Sequence, residues 1–217
     1  MSQFHAGAFR RYDETPDEEF YETPRFVTHI DNRAIAAVTQ LYREHFPPDG
    51  AILDLMSSWV SHLPPEARYR RVVGLGMNEI ELKENPRLDE YIVQDLNRNL
   101  RLPFGDGEFD GAGICVSIDY ITRPVEVLRE VGRVLKIGAP LVVTFSNRCF
   151  AGKAVAVWLR LDDQGRVRLV EEYLREAGNF ENARGLDRSP GRMFSDPLYA
   201  VIGQSTGRYA NAETRGD

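Results

Sequence analysis

The chain has 217 residues, 42% hydrophobic and 28% charged, with a formal net charge of -6. This excludes a disordered chain and suits one globular domain, which at such a length buries about 70% of the surface its unfolded chain exposes. The acidic balance argues against a nucleic-acid backbone as main partner, and no apolar run approaches the ~20 residues of a membrane-spanning helix.

Met1 to Asp17 lack an apolar core, so no secretory signal peptide is expected there. The two cysteines, Cys115 and Cys149, fall in no CxxC or Cys/His spacing. No zinc site is therefore expected, and a reducing, cytoplasmic compartment fits. Arg68, Arg70 and Arg71 form a tight basic run before an apolar stretch and read as a solvated loop.

In chain order, residues 1–28 are polar and aromatic and read as an N-terminal extension or lid. Ile30 to His45 predicts a helix with Asp31 near its start and one apolar stripe, stopped by Pro47-Pro48-Asp49-Gly50. Five short apolar runs follow: Ala51 to Met56, Arg71 to Leu75, Tyr91 to Val93, Phe109 to Val116, and Pro140 to Phe145. Runs without polar alternation suit strands covered on both faces. Pro124 to Leu135 predicts a helix with proline in its first turn, ended by Lys136 and Gly138. Helices are also expected over Phe150 to Leu161 and Arg166 to Ala177, then strands over Asn179 to Leu186 and Leu198 to Gly203. Alternating strands and helices imply a doubly wound, mostly parallel, Rossmann-like α/β sheet of seven strands with helices on both faces. The expected division is 1–28, an α/β domain over 29–204, and a flexible tail over 205–217.

In such sheets the ligand sits outside the carboxyl ends of the strands. The residues at those ends are Asp54 to His62, Gly74 to Glu79, Gln94 to Asn97, Ser117 to Tyr120, and Ser146 to Phe150. With Leu102-Pro103-Phe104 leading to Phe109-Asp110, and Arg129 to Gly138 preceding the fifth run, this order resembles the class I S-adenosylmethionine-dependent methyltransferases of the type 11 kind. The resemblance covers about Ala51 to Phe145 and implies S-adenosylmethionine as cofactor and methyl transfer to an unidentified small molecule.

Two departures stand out. The family follows its first strand with a glycine-rich loop; Met56, Ser58 and Val60 stand there instead. The family ends its second strand with an acidic residue that binds the ribose hydroxyls; here Gly76 stands there, with Asn78 or Glu79 as possible substitutes in the next turn. One reading is a lost site, a non-catalytic binding or scaffold module. The other is a remodelled site in which Ser57 and Ser58 hydroxyls meet the cofactor while Gly74 and Gly76 allow close backbone approach.

By the same resemblance, Asp95 and Leu96 are expected at the adenine, and Asp54 near the cofactor's amino-acid part, with Leu55, Met56, Met77, Asn78 and Ser117 around it. Methyl transfer is an in-line displacement that depends chiefly on positioning, and it needs a base only if the acceptor must lose a proton. Asp119, Tyr120 and His29 are the catalytic candidates, with His62 a further one. Asn147 and Arg148 could orient a polar acceptor, and Tyr21, Phe26 and Trp59 could line its pocket, although aromatic side chains are more often core. A nicotinamide-dependent oxidoreductase is disfavoured, because no G-x-G-x-x-G follows the first strand.

Overall fold

A computed structural model describes residues 4, 5, 7–191 and 195–207. Seven strands form one sheet: β1 (Ala51–Leu55), β2 (Arg71–Gly76), β3 (Glu90–Val93), β4 (Gly111–Cys115), β5 (Pro140–Phe145), β6 (Phe180–Asp187) and β7 (Tyr199–Ser205). Their order is β3-β2-β1-β4-β5-β7-β6. The first five run parallel, and β7 lies antiparallel between β5 and β6. Among the described residues the α-helices are α1 (Asp17–Phe20), α2 (Asn32–His45), α3 (Glu79–Glu84), α4 (Pro124–Val134), α5 (Ala156–Leu159) and α6 (Asp163–Ala177). The expected doubly wound, mostly parallel sheet is thus the observed one.

Two apolar layers hold the sheet. On one side, Val127, Leu128 and Val131 of α4 and Val170, Tyr173 and Leu174 of α6 pack with Leu53, Leu75 and Ile114. On the other, Ala34, Val38 and Leu41 of α2 cover Ile52, Val72, Val142 and Ile202. The pleat sends alternate residues of each strand to opposite layers, which is why the buried strands show no polar face. Burying one such aliphatic side chain contributes about 1.5–3 kcal/mol.

Helix ends follow their chemistry. The Asp31 carboxylate accepts the N–H groups of Arg33 and Ala34 and so caps α2. Pro124 opens α4, where its missing N–H leaves nothing unsatisfied. Gly178 follows α6 with a left-handed φ of 79°, which glycine takes without steric cost.

The expected helix over Phe150 to Leu161 shrinks to α5. Tertiary bonds take over its first half. Ala156 and Val157 donate to the Arg10 and Ala8 carbonyls, and Val155 donates to the Asp119 carbonyl. Helix α3 escapes the periodicity reading because six residues carry too short a stripe. Its signature is local: Asn78, three residues before Glu81, accepts the Glu81 N–H. The last strand runs on to Ser205, and residues 208–217 of the expected tail lie outside the described residues. Among the described residues no helix is long and apolar enough to cross a membrane.

Candidate functional site

The order β2-β1-β4 makes β1 the point where successive connections leave in opposite directions. A cleft of about 300 Å³ opens there, at the carboxyl ends of the parallel strands. Small-molecule sites in open α/β sheets fall at this place and start near this size. Its walls are the turns after β1, β2, β3, β4 and β5, and residues from 17 to 30.

Asp54, in register with Gly74 of β2 and Gly113 of β4, anchors the turn after β1. Its carboxylate accepts the hydroxyls of Ser57, at 2.6 Å, and of Ser61. Burial pushes its pKa up, and the two serine bonds oppose that shift. Asn85 ties the same turn by donating to the Ser58 carbonyl and the Ser61 hydroxyl. Met56 has a left-handed φ of 58°, and Val116 after β4 has a φ of 46°. Both lie at the cleft, and such conformations cost of order 1–3 kcal/mol for residues other than glycine. Met56 therefore keeps the turn a glycine would make freely, while its side chain packs on the core.

Gly76 has a steric explanation. The Ser57 N–H donates to the Leu75 carbonyl at 2.8 Å, so the turn after β1 lies across the end of β2. A Cβ on Gly76 would meet the Ser57 carbonyl oxygen well under 3.0 Å. No side chain, and so no carboxylate, fits at that point. Gly74 is required for another reason: its missing Cβ is replaced by the Leu88 side chain, and it does not line the cleft.

A carboxylate that does reach this end of the cleft is Glu81, buried at 8% exposure in the first turn of α3. It accepts the Ser58 hydroxyl at 2.5 Å and the Arg25 N–H at 2.7 Å. Of the two substitutes considered for the family's acidic residue, Asn78 spends its amide on the Tyr21 and Glu22 carbonyls. Glu79 pairs with Lys83 and does not line the cleft. Glu81 escaped the sequence reading because it lies beyond the strand end; the capping pattern Asn78-x-x-Glu81 was its available signal.

Residues 17–30 cross the strand ends and are fastened at several points. Asp17, 6% exposed, takes two bonds of 2.8 Å from the Arg11 guanidinium, one from Asn97, and an ion pair at 3.2 Å with Lys153, itself 1% exposed. Burial pushes the Asp17 carboxyl up, but these donors outweigh it and hold the pKa below its ordinary value. Trp59 donates its indole N–H to the Val27 carbonyl, and Phe26 stands edge-on to Trp59.

Of the residues expected at the cofactor, Asp54, Met56, Ser57, Ser58, Gly76, Met77, Asn78, Asp95, Leu96 and Ser117 line the cleft; Leu55 and Gly74 do not. Asp95 accepts the Asn97 N–H at 2.7 Å, closing an Asx turn after β3, and desolvation raises its pKa. The Ser117 hydroxyl is buried and has no hydrogen-bond partner among the described residues.

Of the catalytic candidates, His29 and Tyr120 line the cleft and Asp119 does not. His29 lies edge-on to Phe150 with ring centroids 5.2 Å apart, and partial desolvation lowers its pKa. His62 also lines the cleft, lowered by burial. The Tyr120 hydroxyl accepts the Phe150 N–H at 2.9 Å, and burial pushes its pKa far up. Asp119 is 3% exposed, one of its carboxylate oxygens has no partner among the described residues, and burial pushes its pKa to about 7. Arg148 lines the cleft but pairs with Asp196 at 2.8 Å, and Asn147 lies outside the lining.

Residues 57–143 match the family model described as Methyltransferase domain. No curated protein matches the chain. Among solved structures, the [4+2]-cyclase SpnF is 15% identical, with 87% of this chain and 91% of that one covered at a TM-score of 0.60. A S-adenosylmethionine-dependent methyltransferase from Mesorhizobium loti is 15% identical over 77% of this chain and 97% of its own, TM-score 0.55. A possible histamine N-methyltransferase from Thermotoga maritima is 17% identical over 79% and 90%, TM-score 0.56. At these identities the likeness is one of fold, and a fold shared by a cyclase and methyltransferases leaves the reaction to the site itself. Over residues 57–143 the chain is similar to the methyltransferase-domain family, and over most of its length it shares the fold of these solved structures.

Proposed function

We propose that the cleft binds S-adenosylmethionine and that the protein transfers the cofactor's methyl group to a small molecule held beneath residues 17–30. The observation that carries this reading is the cleft itself, at the switch point of the sheet and lined from five strand ends. The unpartnered, buried Ser117 hydroxyl in its wall supports a polar ligand there.

When bound, S-adenosylmethionine supplies an electrophilic methyl group on a sulfonium. Asp95 and Leu96 would hold the adenine end, the Gly76 and Met77 turn the ribose, and the serine turn around Asp54 the amino-acid end. Glu81 stands where a ribose-binding carboxylate is useful, but it is committed to Ser58 and Arg25. Access to it requires residues 21–28 to shift, which makes this segment a lid in our reading. His29, its pKa below the ordinary 6.5, is neutral at pH 7 and can take a proton from an acidic acceptor. The Phe150 N–H fixes the Tyr120 ring, whose role in this reading is to position the acceptor rather than to take its proton.

A second reading, a methyltransferase-fold module without chemistry, is favoured by one observation: the polar atoms of Asn78 and Glu81 are already satisfied by the chain's own segment. Calorimetric titration with S-adenosylmethionine and S-adenosylhomocysteine separates the two. Binding at micromolar ligand is expected; absence of heat at millimolar ligand would overturn the proposal in favour of the module.

A further inference from the structure

Arg25 is a half-buried cation in the cleft wall. It forms no ion pair among the described residues: the nearby buried carboxylates are engaged elsewhere, Glu81 by the Arg25 main-chain N–H and Ser58, Asp17 by Arg11 and Lys153. Its Nη2 donates to the Phe20 carbonyl at 2.7 Å, while Nη1 is buried with no hydrogen-bond partner among the described residues. Three rings surround the guanidinium, with centroids 4.5 Å (Phe20), 5.8 Å (Tyr21) and 5.6 Å (Phe150) away. Aromatic faces ease the burial of a cation but satisfy none of its N–H groups.

We propose that Arg25 is the anion-recognition residue of the cleft and that the small molecule bound there places a carboxylate against its guanidinium. The proposal rests on the reading of the cleft as a small-molecule site. A planar carboxylate matches the planar guanidinium. A dianionic phosphate fits less well, because Asp54, Glu81 and Asp95 line the same cleft and would repel the second charge. Arg25 already lines the cleft, so the Nη1 that lacks a partner belongs to a side chain bordering the ligand space. The carboxylate has two sources: the amino-acid end of the cofactor, or the acceptor.

The test is calorimetry on the full chain and on Arg25→Gln and Arg25→Lys, each checked for folding by its thermal transition. One arm compares S-adenosylhomocysteine with 5′-methylthioadenosine, which lacks the carboxylate. If the cofactor is the source, Arg25→Gln weakens the first at least tenfold and the second less than twofold. The other arm titrates phenylacetate against phenylacetamide, and hexanoate against hexanamide, with and without saturating S-adenosylhomocysteine. If the acceptor is the source, the parent chain prefers acid to amide at least tenfold; Arg25→Lys keeps part of that preference and Arg25→Gln abolishes it. If neither arm distinguishes the parent from Arg25→Gln, the proposal is overturned. Failure of S-adenosylhomocysteine to bind would instead overturn the cofactor reading, and the acid–amide arm without it still reads Arg25.

Discussion

Replacing Gly76 by alanine puts one methyl group where the turn after β1 crosses β2. Gly76 has no left-handed φ, so alanine would on backbone grounds stabilise the fold by about 0.4–1 kcal/mol. The obstacle is the Ser57 carbonyl oxygen, a main-chain atom that cannot rotate aside. Moving it means moving the turn, which is held by the Ser57 N–H to Leu75 and by the Ser57 and Ser58 hydroxyls to Asp54 and Glu81. Overpacking costs about 1–3 kcal/mol and a buried donor left unpaired about 1–3 more, so after the backbone gain the net destabilisation expected is about 1–5.6 kcal/mol.

Urea denaturation reads this, with Gly138→Ala as control. Gly138 has a φ of 78° with nothing within 4 Å of its absent Cβ, so that variant carries backbone strain alone, about 1–2 kcal/mol. Gly76→Ala should cost more than Gly138→Ala. Gly76→Asp, which places a carboxylate at the end of β2, should be destabilised at least as much and should not tighten S-adenosylhomocysteine. If Gly76→Ala lies within 0.5 kcal/mol of the parent (about the scatter of surface substitutions), the steric argument is refuted. A stable Gly76→Asp that binds more tightly would mean that the turn moves freely and that Gly76 is merely a lost carboxylate.

Asp119, with a pKa of about 7 against an ordinary 3.8, keeps its proton in the folded chain where the unfolded chain has lost it. Stability therefore falls as pH rises from about 4 to about 7, and Asp119→Asn should remove that fall. The variant should match its parent near pH 4 and exceed it at pH 8 by up to about 4 kcal/mol; equal pH profiles in urea denaturation would show the carboxyl is not desolvated. Asn78→Ala removes the cap of α3 and two bonds to the 21–22 main chain, which should cost about 1–3 kcal/mol. Proteolysis and amide exchange should show segment 21–28 opened, and unchanged protection there would mean Asn78 does not hold it. Asp95→Ala should weaken S-adenosylhomocysteine about five- to thirtyfold by calorimetry, whereas Asp95→Asn keeps the Asx turn and part of the affinity. Equal loss in both would point to the charge, and no loss in either would remove Asp95 from the adenine end.

The sheet was legible because its signals are local. The run from Pro140 to Phe145 is a strand with those bounds, and Pro124 with its apolar stripe begins a helix at that residue. The crossing segment was legible only as a polar, aromatic stretch. Its position depends on pairs far apart in sequence: Arg25 with Glu81, Asn78 with Tyr21, Lys153 with Asp17. No periodicity encodes such pairs. The shrinking of the expected helix at Phe150 has the same origin, since residues 8–11 take up the main chain of Val155 to Val157.

The two departures at the strand ends are also one feature, which the sequence presents as two. Met56, Ser58 and Val60 stand where glycines are expected after β1, and the hydroxyls of Ser57, Ser58 and Ser61 tie the turn to Asp54 and Glu81. That turn lies on β2 through the Ser57–Leu75 bond and leaves no room for a side chain at residue 76. The absence of a side chain at the end of β2 thus follows from the position of that turn, and the Glu81 carboxylate, in the first turn of α3, is bonded to the same turn through Ser58. Met56, held left-handed, keeps the direction of the chain as it leaves β1. The turn after β1 and the bare residue at the end of β2 thus depend on each other, one through hydrogen bonds to Asp54 and Glu81 and the other through the space that the Ser57 carbonyl occupies, and this linkage favours a rebuilt cleft over an abandoned one.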